Sequence, residues 1–285
     1  MAGRLINAMT IDVEDYFHVS AFAQSVPSTA WASYESRVCR NTDRLLGILD
    51  SAGVRATFFV LGWVAERYPA LVRRIEVAGH ELASHSYDHG LVYDKTPETF
   101  RRDLKRAADL IEQVTGKRVE GYRAPSFSIT RRSLWALDVL VSEGYRYDSS
   151  IYPIRHDRYG IPDWSRRIEY LRYDRGGLWE LPGSATSIFG VNVPVGGGGY
   201  FRLLPYWWTR HGLARLNAEN IPAIFYLHPW EIDPGQPRLP GGTVTRLRHY
   251  HNLQKTEARL VDLLKRFRFG SISDVLAETC ATSHG

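Results

Sequence analysis

The chain has 285 residues, 44% hydrophobic and 24% charged, an ordinary globular composition with length enough for one large core. Its net charge of +5 comes from scattered arginine pairs (73–74, 101–102, 131–132, 166–167), not a basic run. That argues against nucleic-acid binding and leaves at most a mild preference for anionic substrates or lipid headgroups. Two cysteines, Cys39 and Cys280, exclude a cysteine zinc cluster or a disulfide framework; no segment approaches a transmembrane span, and Met1–Met9 has no secretory apolar run, so the expected compartment is the cytoplasm.

In chain order, Ala8–Asp12 reads as a strand ending in the acidic cluster Asp12, Glu14 and Asp15. Asn41–Ala52 reads as a helix, capped by Asn41 or Thr42 and stopped by Gly53. Ala56–Val60 is a buried strand, Trp63–Val77 a helix ended by Gly79, and His80–His85 a strand. Thr96 and Pro97 open a helix to about Thr115, followed by a strand over Val119–Arg123. Thr130 caps a helix ending near Gly144, and Tyr145–Asp148 is again a strand. Later segments are less regular: a strand at Trp179–Pro182, a glycine run at Gly196–Gly199, and a helix over Tyr206–Asn220. An apolar strand at Pro222–His228, a helix over Asn252–Phe267 and a closing strand within Phe269–Val275 complete the chain. Strands alternating with helices imply βαβ units and a parallel sheet, and with no linker or repeat, residues 1–285 are expected to form a single domain.

His85 and His89 stand four apart, so a helical turn after His85 would put both on one face. With a carboxylate from the N-terminal acids they make a three-ligand set that leaves positions open on a divalent metal, the pattern of a catalytic site. Asp12, His85, Arg123, Asp148 and His228 each fall at or just past the end of a predicted strand, where parallel α/β folds place active sites. Arg123 can hold the Asp12 carboxylate through both prongs of its guanidinium. His228 has the chemistry of a proton donor near neutral pH; Glu231 or Asp233 could tune it, though both suit a surface equally. Asp148 can contact substrate or cap the next element. Aromatic rings including Tyr16, Phe127, Trp179 and Trp230 could form a glycan platform or simply core. The glycine run lacks the lysine and spacing of a phosphate loop and reads as a flexible loop near the substrate or a turn.

Three stretches carry a family resemblance: Thr-Ile-Asp-Val-Glu-Asp-Tyr-Phe-His at 10–18, Gly-Gly-Gly-Gly-Tyr-Phe-Arg-Leu-Leu-Pro at 196–205, and Tyr-Leu-His-Pro-Trp-Glu at 226–231. With Arg-Ala-Pro-Ser-Phe at 123–127, the chain resembles the polysaccharide deacetylases with a NodB homology domain (carbohydrate esterase family 4), especially the subgroup found with exopolysaccharide loci. The resemblance implies a distorted (β/α) barrel of about seven parallel strands, a divalent metal, most often Zn2+, and removal of N-acetyl groups from amino sugars. It assigns Asp12 as base, His85 and His89 as metal ligands, Arg123 as the residue orienting the base, and His228 as general acid. It also places Leu227 beside the acetyl methyl; Tyr16, Pro125, Phe127, Asp148, Trp179 and Trp230 are expected as further substrate contacts. The family has adjacent aspartates where this chain has Asp12-Val13, so the third ligand is Glu14 or Asp15. Strand alternation favours Glu14; Asp15, the shorter acid and closer to the family's ligand type, is preferred here. The expected partner is an N-acetylated glycan or its precursor. Two rival readings are an amidase acting on a cyclic ureide or imide, and a non-catalytic glycan-binding protein on the same fold.

Overall fold

The computed structural model describes residues 5–282. Its elements in order are β1 (Asn7–Val13), α1 (Val38–Ser51), β2 (Thr57–Val60), α2 (Gly62–Arg67), α3 (Pro69–Val77), β3 (Glu81–Ser84) and α4 (Pro97–Thr115). There follow β4 (Gly121–Tyr122), α5 (Trp135–Ser142), β5 (Tyr147–Asp148), β6 (Glu169–Tyr173), β7 (Gly176–Glu180), β8 (Ala185–Ile188) and β9 (Val191–Pro194). The chain closes with α6 (Gly198–Leu203), α7 (Tyr206–Ala218), β10 (Ile224–Leu227), α8 (Thr243–Tyr250), α9 (Leu253–Arg266), β11 (Phe269–Gly270) and α10 (Ile272–Thr282). The main sheet runs β10-β1-β2-β3-β4-β5-β7-β6, with β11 also on β1. From β10 to β7 the neighbours are parallel, and only β6 is antiparallel. The expected parallel barrel is therefore present, with an added edge strand.

β1 shows how sequence sorts the layers. All seven of its residues are buried. Met9, Ile11 and Val13 join the cluster under the outer helices, whereas Ala8 joins Phe59, Ala83, Tyr147, Leu181 and Ile224 inside the barrel. Thr10 and Asp12 lie on that inner face, as the two-residue period of a strand requires. Ile272, Val275 and Leu276 of α10 fill the floor of the interior. The apolar run after Phe269, expected to continue as a strand, keeps that form only for Phe269–Gly270 and then turns helical. A run this short does not distinguish the two periods. The helix expected over Trp63–Val77 breaks at Tyr68 (φ −129°, ψ 55°), because Pro69 disfavours helical geometry in the residue before it. The β6–β7 and β8–β9 hairpins and α8 add elements that no strong periodicity announces.

No ladder joins β7 to β10; a strap of chain closes the barrel there. Ser184 accepts from the Ile224 N–H through its side chain (2.6 Å), and its carbonyl accepts from Val195 N–H (3.0 Å). Gly196 then accepts from Tyr226 N–H at 2.7 Å, and Gly197 bridges to Tyr226 in parallel. This accounts for the glycine run, which is neither a flexible loop nor a simple turn. Gly197 has φ +121°, and a Cβ there would lie 2.0 Å from the Tyr226 carbonyl oxygen. We therefore expect Gly197→Ala to destabilise the fold by at least about 2 kcal/mol through backbone strain and collision, read as a lowered Tm in thermal unfolding followed by circular dichroism.

Candidate metal centre

Asp12, His85, Arg123, Asp148 and His228 sit at or immediately after the C-terminal ends of β1, β3, β4, β5 and β10. Parallel strands deliver them to one mouth of the barrel. Four of them meet there with Glu14 and His89; Asp148 stays behind the site.

Glu14, His85 and His89 form the only cluster among the described residues with the makings of a metal site, their ligating atoms all within 4.8 Å of one another. Glu14 Oε1 lies 3.1 Å from both His85 Nε2 and His89 Nε2. The histidines do not share a helical face as expected. His85 follows β3 directly, and left-handed backbone at Ser86 (φ 63°) and His89 (φ 56°) folds the second ring back over the first. The loop is pinned by Gly62 N–H to the Ser86 carbonyl (2.8 Å) and Trp63 N–H to the Tyr87 carbonyl (2.9 Å). His85 Nδ1 lies 2.8 Å from the Arg123 carbonyl, which can only accept, so this nitrogen carries the proton and Nε2 offers its lone pair inward. His89 Nδ1 contacts Ser20 Oγ at 3.3 Å, and Ser20 in turn contacts Ser126 Oγ at 2.9 Å. Burial would raise the Glu14 carboxyl, but the imidazoles around it, foremost His89 and His228, hold it well below its usual range. Inward lone pairs and a retained carboxylate are the donor set a divalent cation requires.

Asp15, the preferred third ligand, points elsewhere. Its Oδ2 accepts from Ser36 Oγ (2.7 Å), Arg37 N–H (2.7 Å) and Val38 N–H (3.0 Å), capping α1. Helix α1 consequently begins at Val38, ahead of the expected Asn41. Glu14 instead shares the inner face with Asp12, as alternation indicates. His18 props this turn from beneath, Nδ1 accepting Asp15 N–H at 2.9 Å, and burial pushes the ring down to about 3, so it stays neutral.

Asp12 Oδ1 accepts from Arg123 Nη1 at 2.8 Å. The grip is through a single prong: Nη2 goes to Ser149 Oγ (2.9 Å), Nε to the Ser149 carbonyl (3.1 Å), and Nη1 also to Thr10 Oγ1 (2.7 Å). Asp148 makes no contact with the cleft. It accepts from Ser150 Oγ and N–H and faces Glu180; burial raises both carboxyls, and the pair's mutual repulsion raises Glu180 further. Across the cleft, His228 Nε2 lies 3.8 Å from Asp12 Oδ2 and 3.6 Å from Glu14 Oε1. Its Nδ1 bonds Glu231 Oε1 at 2.7 Å. Burial would lower His228, but Glu14, Glu231 and Asp12 outweigh that and lift it to about 9. Glu231 is not a surface acid: it is fully buried, and Arg202 Nε donates to its Oε2 at 2.5 Å. Burial opposes its ionisation, yet Arg202 and His228 pull it down to about 2. Arg202 Nη1 also binds the carbonyls of Arg248 (2.9 Å) and His249 (2.6 Å) at the end of α8. Asp233 pairs with Arg37 and Arg40, away from His228.

A cavity of about 130 Å³ opens over Asp12, Glu14, His89 and His228, walled by Val19, Ser20, Ala124, Ser126, Phe127, Arg158, Tyr159, Tyr226 and Trp230. Phe127 and Trp230 are placed as expected, with Trp230 stacked on His228 at 5.2 Å. Leu227 is not: it packs in the outer cluster, and its neighbour Tyr226, on the same strand face as His228, takes the wall. Trp179 packs against the barrel-interior cluster with its ring 5.1 Å from Tyr170. Tyr16 is buried beside Phe17, and its N–H is bonded to Asp15 Oδ1 at 3.1 Å. Pro125 is buried in the turn that presents Ser126 and Phe127, both left-handed at φ 53° and 52°. Sequence reading gave no role to Ser20, Ser126, Arg158, Tyr159, Arg202 and Tyr226; the strand period signals Tyr226, two residues before His228, and Ser126 and Arg202 fall within the stretches at 123–127 and 196–205 that carry the resemblance.

Residues 27–147 match the polysaccharide deacetylase family, and residues 149–277 match a domain of unknown function, DUF3473. The first of these segments holds His85, His89 and Arg123, while Asp12 and Glu14 precede it and His228 follows it. The chain is 34% identical over 110 residues to the peptidoglycan deacetylase-like protein FGM2 of Gibberella zeae, covering 38% of this chain and 32% of that one. It is 30% identical over 98 residues to the peptidoglycan-N-acetylglucosamine deacetylase of Bacillus cereus, covering 34% and 36%. The chain thus spans about a third of the length of these curated relatives. A solved Mycobacterium smegmatis structure, provisionally assigned as a polysaccharide deacetylase, superposes with TM-score 0.67 over 99% of this chain and 92% of that chain at 22% identity, which establishes the shared fold. No helix among the described residues is long and apolar enough to cross a membrane.

Two outcomes follow from this geometry. Glu14→Gln should weaken Zn2+ binding by at least about 100-fold in a chelator-competition titration, whereas Asp15→Asn should leave it within about threefold and instead cost about 1–2 kcal/mol of stability. The Asp148–Glu180 pair holds a proton in the folded chain that the unfolded chain releases in the ordinary carboxyl range near about pH 4. More protons on the folded side means stability falls as pH rises above that range. The urea midpoint should therefore drop between pH 5 and 8 (about three units) less steeply in Glu180→Gln than in the wild type.

Proposed function

We propose that the protein is a metal-dependent N-deacetylase acting on N-acetylated amino sugars of a bacterial polysaccharide or its precursor. The observation that carries this reading is the opposition of Asp12 and His228 across the Glu14–His85–His89 cluster, each held by its own buried arginine system. Glu14 Oε1, His85 Nε2 and His89 Nε2 are the atoms that would hold the cation, Zn2+ being well suited to two imidazoles and a carboxylate. When bound, such a cation supplies a water of lowered pKa and polarises the acetamide carbonyl. Asp12 Oδ2, the oxygen not engaged by Arg123, accepts the proton of the attacking water. Arg123 fixes that carboxylate against rotation. His228 Nε2, the nitrogen facing the cleft, donates its proton to the departing amine, while Glu231 holds Nδ1 and stabilises the charged ring. Phe127, Tyr226 and Trp230 keep water from the reacting amide.

A groove of about 590 Å³ continues from the cavity and shares Val19, Tyr159, Tyr226, His228 and Trp230 with it. A site extended in this way suits a chain of sugars better than a compact ureide or imide. The resemblance to the exopolysaccharide-locus subgroup supports the same substrate class.

The test is acetate release from N-acetylhexosamine oligomers by protein loaded with Zn2+. Chelation should abolish turnover and Zn2+ should restore it. Asp12→Asn and His228→Ala should each lower kcat by about 10²- to 10⁴-fold with the fold intact by circular dichroism. Full activity after metal stripping, or turnover of ureides with none of glycans, would overturn the reading.

A further inference from the structure

We infer that the groove beside the cleft binds an anionic group, a carboxylate or a phosphate, on a sugar neighbouring the one that is deacetylated; the inference rests on the glycan reading above. Four observations carry it.

The first is unneutralised charge. Arg158 and Arg248 both line the groove, both are exposed, and neither forms an ion pair among the described residues. Arg202, the third arginine there, is already engaged by Glu231. The groove's acid, Asp157, is 76% exposed, with Oδ1 2.9 Å from His156 Nδ1, a nitrogen that accepts the Arg158 N–H at 3.2 Å.

The second is position. Arg158 lines both the inner cavity and the groove, whereas Arg248 lines the groove alone. The acids of the inner cavity, Asp12 and Glu14, are committed to the reaction centre. The site is thus divided: a carboxylate-lined chamber for the amide and a guanidinium-lined approach to it. Two guanidiniums at the approach match an oxyanion carried by the same chain.

The third is a rigid aromatic floor between them. The His156 ring stacks on Tyr159 at 3.8 Å and 16°, and the Tyr159 and Tyr200 hydroxyls bond at 2.9 Å. Both arginines line the same groove as His156, Tyr159 and Tyr200, so the two cations border one platform. Burial, with these positive neighbours, lowers His156 and keeps its ring neutral. A sugar ring lies on such a face while its charged substituent reaches the rim.

The fourth is the link to chemistry. Arg248 belongs to α8, whose last carbonyls are held by Arg202, which holds Glu231, which holds His228. An anion on Arg248 is thereby registered against the same element that positions the proton donor.

The experiment is isothermal titration of the Zn2+-loaded protein with three tetrasaccharides: one of N-acetylglucosamine alone, one alternating N-acetylglucosamine with glucuronate, and one of N-acetylglucosamine carrying a phosphate. The wild type should bind at least one charged ligand about tenfold or more tightly than the neutral one, with a preference that fades as salt is raised. The charged ligand that gains distinguishes carboxylate from phosphate. In the doubly substituted Arg158→Gln, Arg248→Gln protein the ratio of charged to neutral affinity should fall to about one. Equal affinity of the wild type for all three, a preference that survives the double substitution, or binding of none of them overturns the inference. Acetate release, measured in the same samples, separates the two claims. Charge preference without acetate sinks the deacetylase reading alone, and acetate without charge preference sinks this inference alone.

Discussion

Arg123 is the constraint around which the site is organised. A guanidinium with 1% of its surface exposed cannot shed its charge, so the barrel must supply acceptors for it. Thr10 and Asp12 come from β1 and Ser149 from the residue after β5, while the ring of Phe59 from β2 lies under the guanidinium at 4.2 Å. Satisfying this cation therefore fixes strands that do not neighbour one another in the sheet. Its backbone carbonyl, meanwhile, takes the proton of His85 Nδ1. One residue thus sets the direction of the Asp12 carboxylate through its side chain and the tautomer of His85 through its main chain.

Arg202 plays the matching part on the opposite wall. It too is buried, and it too neutralises an acid, Glu231, which holds His228. The difference lies in what the acid does. Asp12 presents its free oxygen to the cleft, whereas Glu231 turns both oxygens inward, one to Arg202 and one to His228. Two buried arginine–carboxylate pairs therefore present different groups to one cleft: a carboxylate with a free oxygen at Asp12, and at His228 an imidazole that its acidic neighbours keep charged.

Much of this is legible in the chain because the strand period is strict. Polar residues ending apolar strands mark Asp12, His85, Arg123 and His228, and the same period distinguishes Tyr226 from Leu227 and Glu14 from Asp15. Where similarity of residue type is set against the period, the period wins at both places. What the chain does not announce depends on partners far away in sequence. Asp15 is turned aside by Ser36–Val38, about twenty residues on. Glu231 is drawn inward by Arg202, distant in sequence, and Trp179 lies in a strand whose register on β5 sends it toward the barrel interior. The His85–His89 spacing is correct for a helix, yet two left-handed residues bring the rings together instead. Spacing identified the pair, but not the backbone that assembles it.

The junction between the two matched segments falls at β5, in the middle of a continuous sheet. β5 pairs onward with β7, and β1 pairs outward with β10, so the second segment covers both flanks of the first. A fragment ending at residue 148 would expose two bare strand flanks at once, an invitation to edge-to-edge aggregation. It would also keep Asp12, Glu14, His85, His89 and Arg123 and lose His228 from the opposite side of the cleft. Physical separability and completeness of the cleft fail at the same peptide bond, so the fold and the candidate site draw on the same length of polypeptide.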